Sequence, residues 1–187
     1  MLGIDAEWGL AMRLQHTQKF PYAITLGALQ NDSLAFEVGA AIGRDLKRLG
    51  MHINFAPDVD INVNPKNPII GFRAFGDNKK RISFTADAFS KGMLSEDVLS
   101  CAKHFPGHGL VSGDTHKSLQ AIDGELKEVP TYPTLIEDGV LSIMIGHLAV
   151  INNPKYNTNG LPATCSKTIV TDLLRNEMGY KGLIVTD

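Results

Sequence analysis

The sequence predicts an α/β fold with a parallel sheet of the (β/α)₈ TIM-barrel type, on two observations. Five short apolar runs alternate with segments of helical periodicity along the 187 residues, as expected for parallel strands joined by helical crossovers. A polar residue also ends or follows each of the five runs. Barrel strands all end on one face, whereas a doubly wound sheet gathers its site at one switch point, so the second observation favours the barrel.

The predicted strands are nearly continuous apolar runs, as expected when both faces of a parallel strand are buried. They span Leu2–Asp5, His52–Ala56, Leu99–His104, Ser142–Gly146 and Leu183–Asp187. The polar residues at or just after their ends are Asp5, Asp58, the Lys103–His104 pair, His147 and Asp187. These side chains are therefore expected to share one face of the fold.

Four segments between the strands have helical patterns. The clearest spans Ser33–Leu49, with Asn31 and Asp32 as caps and Gly50 as the stop. The others are Lys79–Leu94, Ser166–Met178 and, more weakly, Tyr132–Glu137. The stretch 57–78 is rich in Pro and Asn and is predicted to be a long loop, which in a compact domain is usually functional.

Five strands are fewer than the eight of a complete barrel, which typically takes about 250 residues. Because the chain opens and stops on a predicted strand, we expect residues 1–187 to be a partial barrel domain of about five βα units, truncated at both ends. At least one unit would precede Met1 and one or more would follow Asp187. Such a piece leaves sheet edges open, and alone it is expected to be unstable and inactive.

Composition narrows the class of protein. Hydrophobic residues make up 43% of the chain, charged residues make up 20%, and the formal net charge is −2. These values are ordinary for a globular protein and give no strong field for binding nucleic acid. No apolar run approaches the roughly 18–20 residues that a membrane span needs. Two cysteines supply neither a disulfide framework nor a zinc-finger spacing, and no cofactor is expected.

The densest group of reactive side chains is Lys103–Gly109, KHFPGHG, followed by Asp114 and His116. The Pro-Gly pair excludes a helix interior, so the segment is predicted to be a strand that runs into a polar loop. In that loop Asp114 can hold the imidazole of His116, and an oriented histidine exchanges a proton near neutral pH. The alternative is an exposed turn in which the Asp-x-His spacing arose by chance.

Asp187 is a candidate nucleophile, because a carboxylate at the end of a buried strand is desolvated on one side. The alternative role is a cap for a following helix. Lys103 and His104 follow a buried run, so a lysine there is held in place to donate to a substrate hydroxyl. Their alternative role is an ion pair with an acid of a neighbouring strand.

Three further polar residues complete the candidate site. Asp5 can accept hydrogen bonds from a polyol, and Arg73 is a forked donor suited to hydroxyls or an amide oxygen. Arg13 joins them, with plain solvation at the surface as its alternative. His108, between glycines, is expected to shape the loop, and His147 either lines the site or is a satisfied core histidine.

Taken together, these residues resemble glycoside hydrolase family 3, and within it the β-N-acetylglucosaminidases of the NagZ type. The subgroup signature is Lys-His-Phe/Ile-Pro-Gly-His/Asp-Gly, four residues, then Asp-x-His. It stands here without departure at Lys103–Gly109 and Asp114–His116. The segments around Asp5, Asn54, Arg73 and Asp187 agree in order and spacing, so the resemblance covers essentially the whole chain.

The resemblance implies a retaining glycosidase that releases terminal β-linked N-acetylglucosamine in two displacements. Asp187 would be the nucleophile, and His116 the acid/base with Asp114 as its partner. The residues that would hold the sugar ring are Asp5, Arg13, Arg73, Lys103 and His104. The leaving group would come from peptidoglycan fragments or from chitin-derived oligosaccharides.

Two features of this chain bear on that scheme. A neutral histidine base does not repel an incoming anion, so phosphorolysis stays open beside hydrolysis. Trp8 stands where many relatives carry Gly, so the rim of the pocket is expected to differ.

Two other functions compete with a glycosidase. The first is a metal-dependent barrel hydrolase with ligands from His104, His108, His116, Asp114 and His147. Neither a His-x-His on the first strand nor a histidine pair one helical turn apart supports it, and no metal is expected. The second is a degenerate sugar-binding domain, against which the intact Asp187, His116 and Asp114 argue.

Overall fold

The computed structural model describes residues 1–115 and 117–187. Within them the strands in chain order are β1 (Gly3–Ile4), β2 (Ile53–Asn54), β3 (Leu99–Phe105), β4 (Gln120–Asp123), β5 (Ser142–Ile145), β6 (Leu148–Ile151) and β7 (Leu183–Thr186). Five of these form one parallel sheet in the order β1-β2-β3-β5-β7. Spatial order therefore follows chain order, without the reversal that defines a doubly wound sheet.

Helices occupy the connections between the sheet strands. They are α1 (Ala23–Leu29), α2 (Asp32–Arg48), α3 (Lys79–Leu94), α4 (Pro133–Glu137) and a π-helix (Thr168–Glu177). All five predicted strands and all four predicted helices are present, and the bounds of α3 are those predicted. Helix α1 was not predicted. Among the described helices, none combines the length and the apolar composition that a membrane span requires.

The two long helices begin at side-chain caps and pack with their backbones in contact. The Asn31 side chain accepts from the Leu34 N–H at 3.2 Å at the start of α2, as predicted, and Asn78 caps α3 in the same way. Where the helices meet, a Cβ on Gly39 would lie 2.2 Å from the Phe89 carbonyl oxygen. Only glycine permits that approach, which lets α2 and α3 pack closely against each other.

A second, two-stranded parallel sheet pairs β4 with β6, from Gln120 opposite Leu148 to Asp123 opposite Ile151. The sequence analysis missed it. Only Ile122 of β4 is buried, so this strand has no apolar run, and β6 follows β5 after Gly146 and His147, where the pattern indicated a strand end. The pair lies beyond the carboxyl ends of β3 and β5.

The sheet has two differently packed faces. One buries the main hydrophobic core against the helices, with Ile42, Leu46 and Phe89 among its members. The other carries the smaller group of Ile53, Cys101 and Met144, packed with the partly buried Phe55 and Val185. Phe55, Met144 and Val185 also form the apolar floor of a cavity at the carboxyl ends of the strands.

Candidate active site

A cavity of about 460 Å³ opens at the carboxyl ends of the sheet strands, on the face where the sequence analysis placed the site. It is lined by all five predicted substrate-binding residues and by the predicted nucleophile. The polar lining residues are Asp5, Glu7, Arg13, Arg73, Lys103, His104, His108, Thr115, Thr186 and Asp187. Strand ends far apart in the chain thus supply one surface.

One wall of the cavity is an ion-pair cluster of Asp5, Glu7, Arg13, Arg73 and Lys103. The Lys103 Nζ lies 3.0 Å from Asp5 Oδ1 and 2.9 Å from Glu7 Oε1. Arg13 Nη2 lies 2.6 Å from Asp5 Oδ2. Arg73 donates two hydrogen bonds to Glu7, from Nη2 to Oε1 at 2.8 Å and from Nε to Oε2 at 3.0 Å. This two-bond geometry fixes the guanidinium plane.

Mutual attraction keeps the ion-pair cluster charged. Burial alone would raise the pKa of Glu7, but the Lys103 ammonium and the Arg73 guanidinium hold it below its usual value. Burial would likewise raise the pKa of Asp5, and Lys103 and Arg13 lower it. Burial would lower the pKa of Lys103, and the two carboxylates raise it. The ion pair proposed as the alternative role of Lys103 therefore exists, and its members also line the cavity.

Glu7 is a charged residue of the cavity wall that the sequence analysis missed. Its side chain is only 4% exposed and bridges two cations, Arg73 and Lys103. The sequence did contain an indication of Glu7. The residues predicted to hold the sugar ring include three cations, Arg13, Arg73 and Lys103, but one carboxylate, Asp5. A buried group with three cations needs a second nearby anion.

Below this wall lies an acid-rich anchoring network of Asp58, Asp60, Glu128, His104 and His108. Val59 N donates to the Lys103 carbonyl at 2.7 Å, which keeps the chain after β2 alongside β3. Asp60 Oδ2 accepts from His104 Nδ1 at 2.6 Å, and its Oδ1 accepts from the His108 backbone N–H at 2.8 Å. One buried carboxylate thus orients the His104 ring and holds the following loop.

Glu128 extends the anchoring network. Its Oε2 accepts from the backbone N–H groups of Ile61 at 2.8 Å and Gly109 at 3.1 Å, and its Oε1 accepts from Leu110 at 3.1 Å. Burial and the Asp60 carboxylate raise the pKa of Glu128 to about 8, against those three N–H donors. Burial and Asp60 also raise the pKa of Asp58 to about 7. This network holds loops together rather than presenting charge to the cavity.

His116 lies outside the described residues, so the predicted Asp114–His116 pair is described only in part. Asp114 is partly buried, with its Oδ2 3.6 Å from Lys117 Nζ. The intervening Thr115 lines the cavity, and its Oγ1 lies 3.0 Å from His108 Nε2. The loop that carries the predicted acid/base therefore borders the same cavity as Asp187.

Asp187 lies at the end of β7, and its backbone N donates to the Ile145 carbonyl at 3.0 Å. The residue is exposed, whereas the sequence analysis expected one side of its carboxylate to be desolvated. The difference arises because β7 pairs with β5 on one side and, among the described residues, with no strand on the other. The carboxylate nevertheless forms part of the cavity lining.

His147 and Trp8 are two further residues that the sequence analysis singled out. His147 is exposed, with Nδ1 3.1 Å from Thr164 Oγ1, and it is not among the described residues that line the cavity. Trp8 packs edge-on against Tyr22 and Phe72, with ring centroids 4.9 and 6.0 Å away. The large side chain at position 8 is therefore packed against neighbouring aromatic rings, and Trp8 is not among the described residues that line the cavity.

Among the described residues, the group of side chains placed to hold a metal ion differs from the set weighed in the sequence analysis. In the described part of the chain, Asp58, Asp60 and His104 offer ligand atoms within 4.8 Å of one another. The Asp60–His104 hydrogen bond already uses two of these groups, and Arg73 Nη2 lies 3.6 Å from Asp58 Oδ2. A cation there would face a guanidinium, which disfavours it.

The comparison with known families identifies the family of the chain. The sequence matches the glycosyl hydrolase family 3 N terminal domain over residues 1–187. The chain belongs to glycosyl hydrolase family 3. It is 36% identical to beta-hexosaminidase A of Pseudoalteromonas piscicida, an alignment that covers 100% of this chain and 34% of that protein.

Solved family 3 structures share the fold. A glycoside hydrolase family 3 β-N-acetylglucosaminidase from Paenibacillus sp. str. FPU-7 aligns with a TM-score of 0.92 and 35% identity, over 100% of this chain and 36% of that one. NagZ from Neisseria gonorrhoeae, in complex with N-trifluoroacetyl-D-glucosamine, aligns at 0.87 and 26%, over 100% and 57%. The chain thus spans part of the length of each, and the predicted incomplete (β/α)₈ barrel is confirmed.

Proposed function

We propose that the protein is a retaining glycoside hydrolase that releases terminal β-linked N-acetylglucosamine. The observation that carries the proposal is the single cavity that gathers Asp187 with the five residues expected to hold the sugar ring. Two named relatives support the same activity class, the beta-hexosaminidase A and the β-N-acetylglucosaminidase. The neighbour that holds an N-acylated glucosamine supports the same sugar class.

The ion-pair cluster would bind the sugar hydroxyls and amide. Asp5 can accept from two hydroxyls, because a carboxylate has more lone pairs than Lys103 and Arg13 occupy. Lys103 Nζ can donate three hydrogen bonds. Two go to Asp5 and Glu7, which leaves one for the ligand. Since these groups are fixed by one another before substrate arrives, little ordering entropy is lost on binding.

The chemistry follows in two steps. In the first, the Asp187 carboxylate attacks the anomeric carbon while the His116 imidazolium protonates the leaving oxygen, which gives a glycosyl ester and a free alcohol. In the second, neutral His116 takes a proton from water, and the hydroxide oxygen displaces Asp187 from the anomeric carbon. Two inversions return the β-anomer. Asp114 would stabilise the imidazolium in both steps.

The test is turnover of 4-nitrophenyl β-N-acetylglucosaminide by the intact protein, with the first-formed anomer identified by proton NMR. We expect the β-anomer of N-acetylglucosamine, at a rate that a chelator does not change. Initial release of the α-anomer would contradict retention. Activity lost to chelator and restored by a divalent metal would favour the metal-dependent hydrolase, and sugar 1-phosphate formed with inorganic phosphate would make the enzyme a phosphorylase.

A further inference from the structure

His108 and Thr115 form a contact that the proposed chemistry does not use directly. The His108 Nε2 lies 3.0 Å from Thr115 Oγ1, and both residues line the cavity. In the sequence Thr115 stands between Asp114 and His116. A hydrogen bond to Thr115 therefore acts on the loop position that joins the two proposed acid/base residues.

The His108 end of this contact is fixed. The residue is 1% exposed, and its backbone N donates to Asp60 Oδ1 at 2.8 Å. The next residue, Gly109, donates to Glu128, and a Cβ there would lie 2.0 Å from the Ile61 carbonyl oxygen. Among the described residues, His108 Nδ1 has no hydrogen-bond partner. The hydrogen bond between Nε2 and Thr115 Oγ1 is therefore the one that the ring makes to these residues.

The Thr115 end belongs to a loop with little regular structure. Asn64 Nδ2 anchors its first part, at 2.9 Å from the Leu110 carbonyl, 3.2 Å from the Val111 carbonyl and 3.1 Å from Ser112 Oγ. Beyond residue 112, the contact with His108 ties the loop to the buried anchoring network. Proton transfer needs the acid within about 2.6–3.2 Å of the leaving oxygen, so small loop displacements matter.

We propose that His108 is a positioning residue, whose hydrogen bond to Thr115 Oγ1 sets the place of the acid/base loop relative to Asp187. This inference rests on the proposed function. A positioning role has a particular signature, because the acid is needed only when the leaving group is a poor one. Loss of the contact then slows glycosylation from ordinary alcohols and leaves glycosylation from highly activated aryl leaving groups nearly unchanged.

The experiment compares the intact wild type with His108→Leu and Thr115→Val on two substrates. For an N-acetylglucosaminide with a sugar leaving group we expect kcat/KM, which reports glycosylation, to fall about 30- to 100-fold. This lies at or below the lower end of the range for general acid catalysis, because the acid is displaced and not removed. For the 2,4-dinitrophenyl glycoside, whose glycosylation needs little acid assistance, we expect kcat/KM to change by less than about 3-fold. Its kcat is expected to fall, because His116 is also the base of the second step. The double variant is expected to lose no more than either single variant, because both remove one contact.

Two conservative variants separate positioning from general damage. His108→Gln keeps a donor near the Nε2 position and Thr115→Ser keeps the hydroxyl, so both are expected to recover most of the lost rate. Equal losses of kcat/KM on both substrates, or wild-type rates for Thr115→Val, would overturn the inference and leave the proposed function standing. A folded wild type inactive on both substrates would overturn the proposed function itself. If His108→Leu does not fold, Thr115→Val decides.

Discussion

The two polar groups beside the cavity are built differently. In the ion-pair cluster two carboxylates meet three cations, and the pKa values of Asp5 and Glu7 are lowered. In the anchoring network three carboxylates meet two histidines, and the pKa values of Asp58 and Glu128 are raised. In the ion-pair cluster, at the cavity wall, the carboxylates are compensated by cations. The anchoring network satisfies its carboxylates mainly with backbone N–H groups. These carboxylates lie behind the wall, whereas its two histidines line the cavity.

The difference separates two tasks. Groups that must bind a polyol are held charged and keep donors or acceptors to spare, as Lys103 and Asp5 do. Groups that must hold loops are buried and use their oxygens on the main chain, as Glu128 does with Ile61, Gly109 and Leu110. Changes in the first group should alter substrate binding, whereas changes in the second should alter stability and its dependence on pH.

The largest effect is expected from Glu7→Gln in the ion-pair cluster. The substitution leaves Lys103 and Arg73 short of one buried negative charge, and breaking a buried pair costs about 3–5 kcal/mol. We expect kcat/KM for the aryl glycoside to fall about 100-fold, along with lower stability to urea. Arg13→Gln is the control, because the Arg13 side chain is 49% exposed and its loss should cost far less stability. Wild-type kinetics for Glu7→Gln would contradict the proposed role of Glu7 in the ion-pair cluster.

The next effect concerns the backbone that the anchoring network holds. A Cβ on Gly109 would lie 2.0 Å from the Ile61 carbonyl oxygen, so Gly109→Ala must displace the main chain. We expect a loss of about 3 kcal/mol in the free energy of unfolding, measured in urea. Gly113→Ala in the same loop is the matched control, because its Cβ would meet the movable end of the Gln120 side chain. Equal stability of the two variants would contradict the close approach at Gly109.

The smallest effect is a change in pH dependence. The pKa of Asp58 rises from 3.8 to about 7 in the folded chain, mainly by burial. The folded state then binds this proton more tightly than the unfolded state, so the contribution of Asp58 to stability falls as pH rises through that window. Asp58→Asn removes the titration, and its stability relative to wild type should increase from about pH 4 to pH 7 by about 1–3 kcal/mol. A difference independent of pH, in urea titrations at several pH values, would contradict the raised pKa.

The sequence was sufficient to predict the parts of the site that follow strand ends. Asp5, Lys103, His104 and Asp187 each sit at the end of an apolar run, and parallel strands bring such ends together. Local periodicity therefore predicted a long-range arrangement. The five-stranded sheet and the cap of α2 by Asn31 were predictable on the same grounds.

The residues that were missed depend on contacts without a local pattern. Glu128 precedes a short 3₁₀ helix, and its role comes from backbone groups 67 residues earlier and 18 to 19 residues earlier in the chain. Glu7 lies two residues beyond Asp5, so a prediction that takes only the polar residues at strand ends does not include it. The β4–β6 sheet arises from tertiary pairing of a short polar segment, which no period of two reveals.

The central claim is that this chain supplies the nucleophile. The most direct measurement is to incubate the intact protein with a fluorinated N-acetylglucosamine inactivator that traps glycosyl-enzymes, and to map the modified peptide by mass spectrometry. We predict one adduct per chain, on Asp187, which would establish the nucleophile, the sugar and the retaining route together. A label on Asp5, Glu7 or another carboxylate, or no adduct on a folded and active enzyme, would contradict the account.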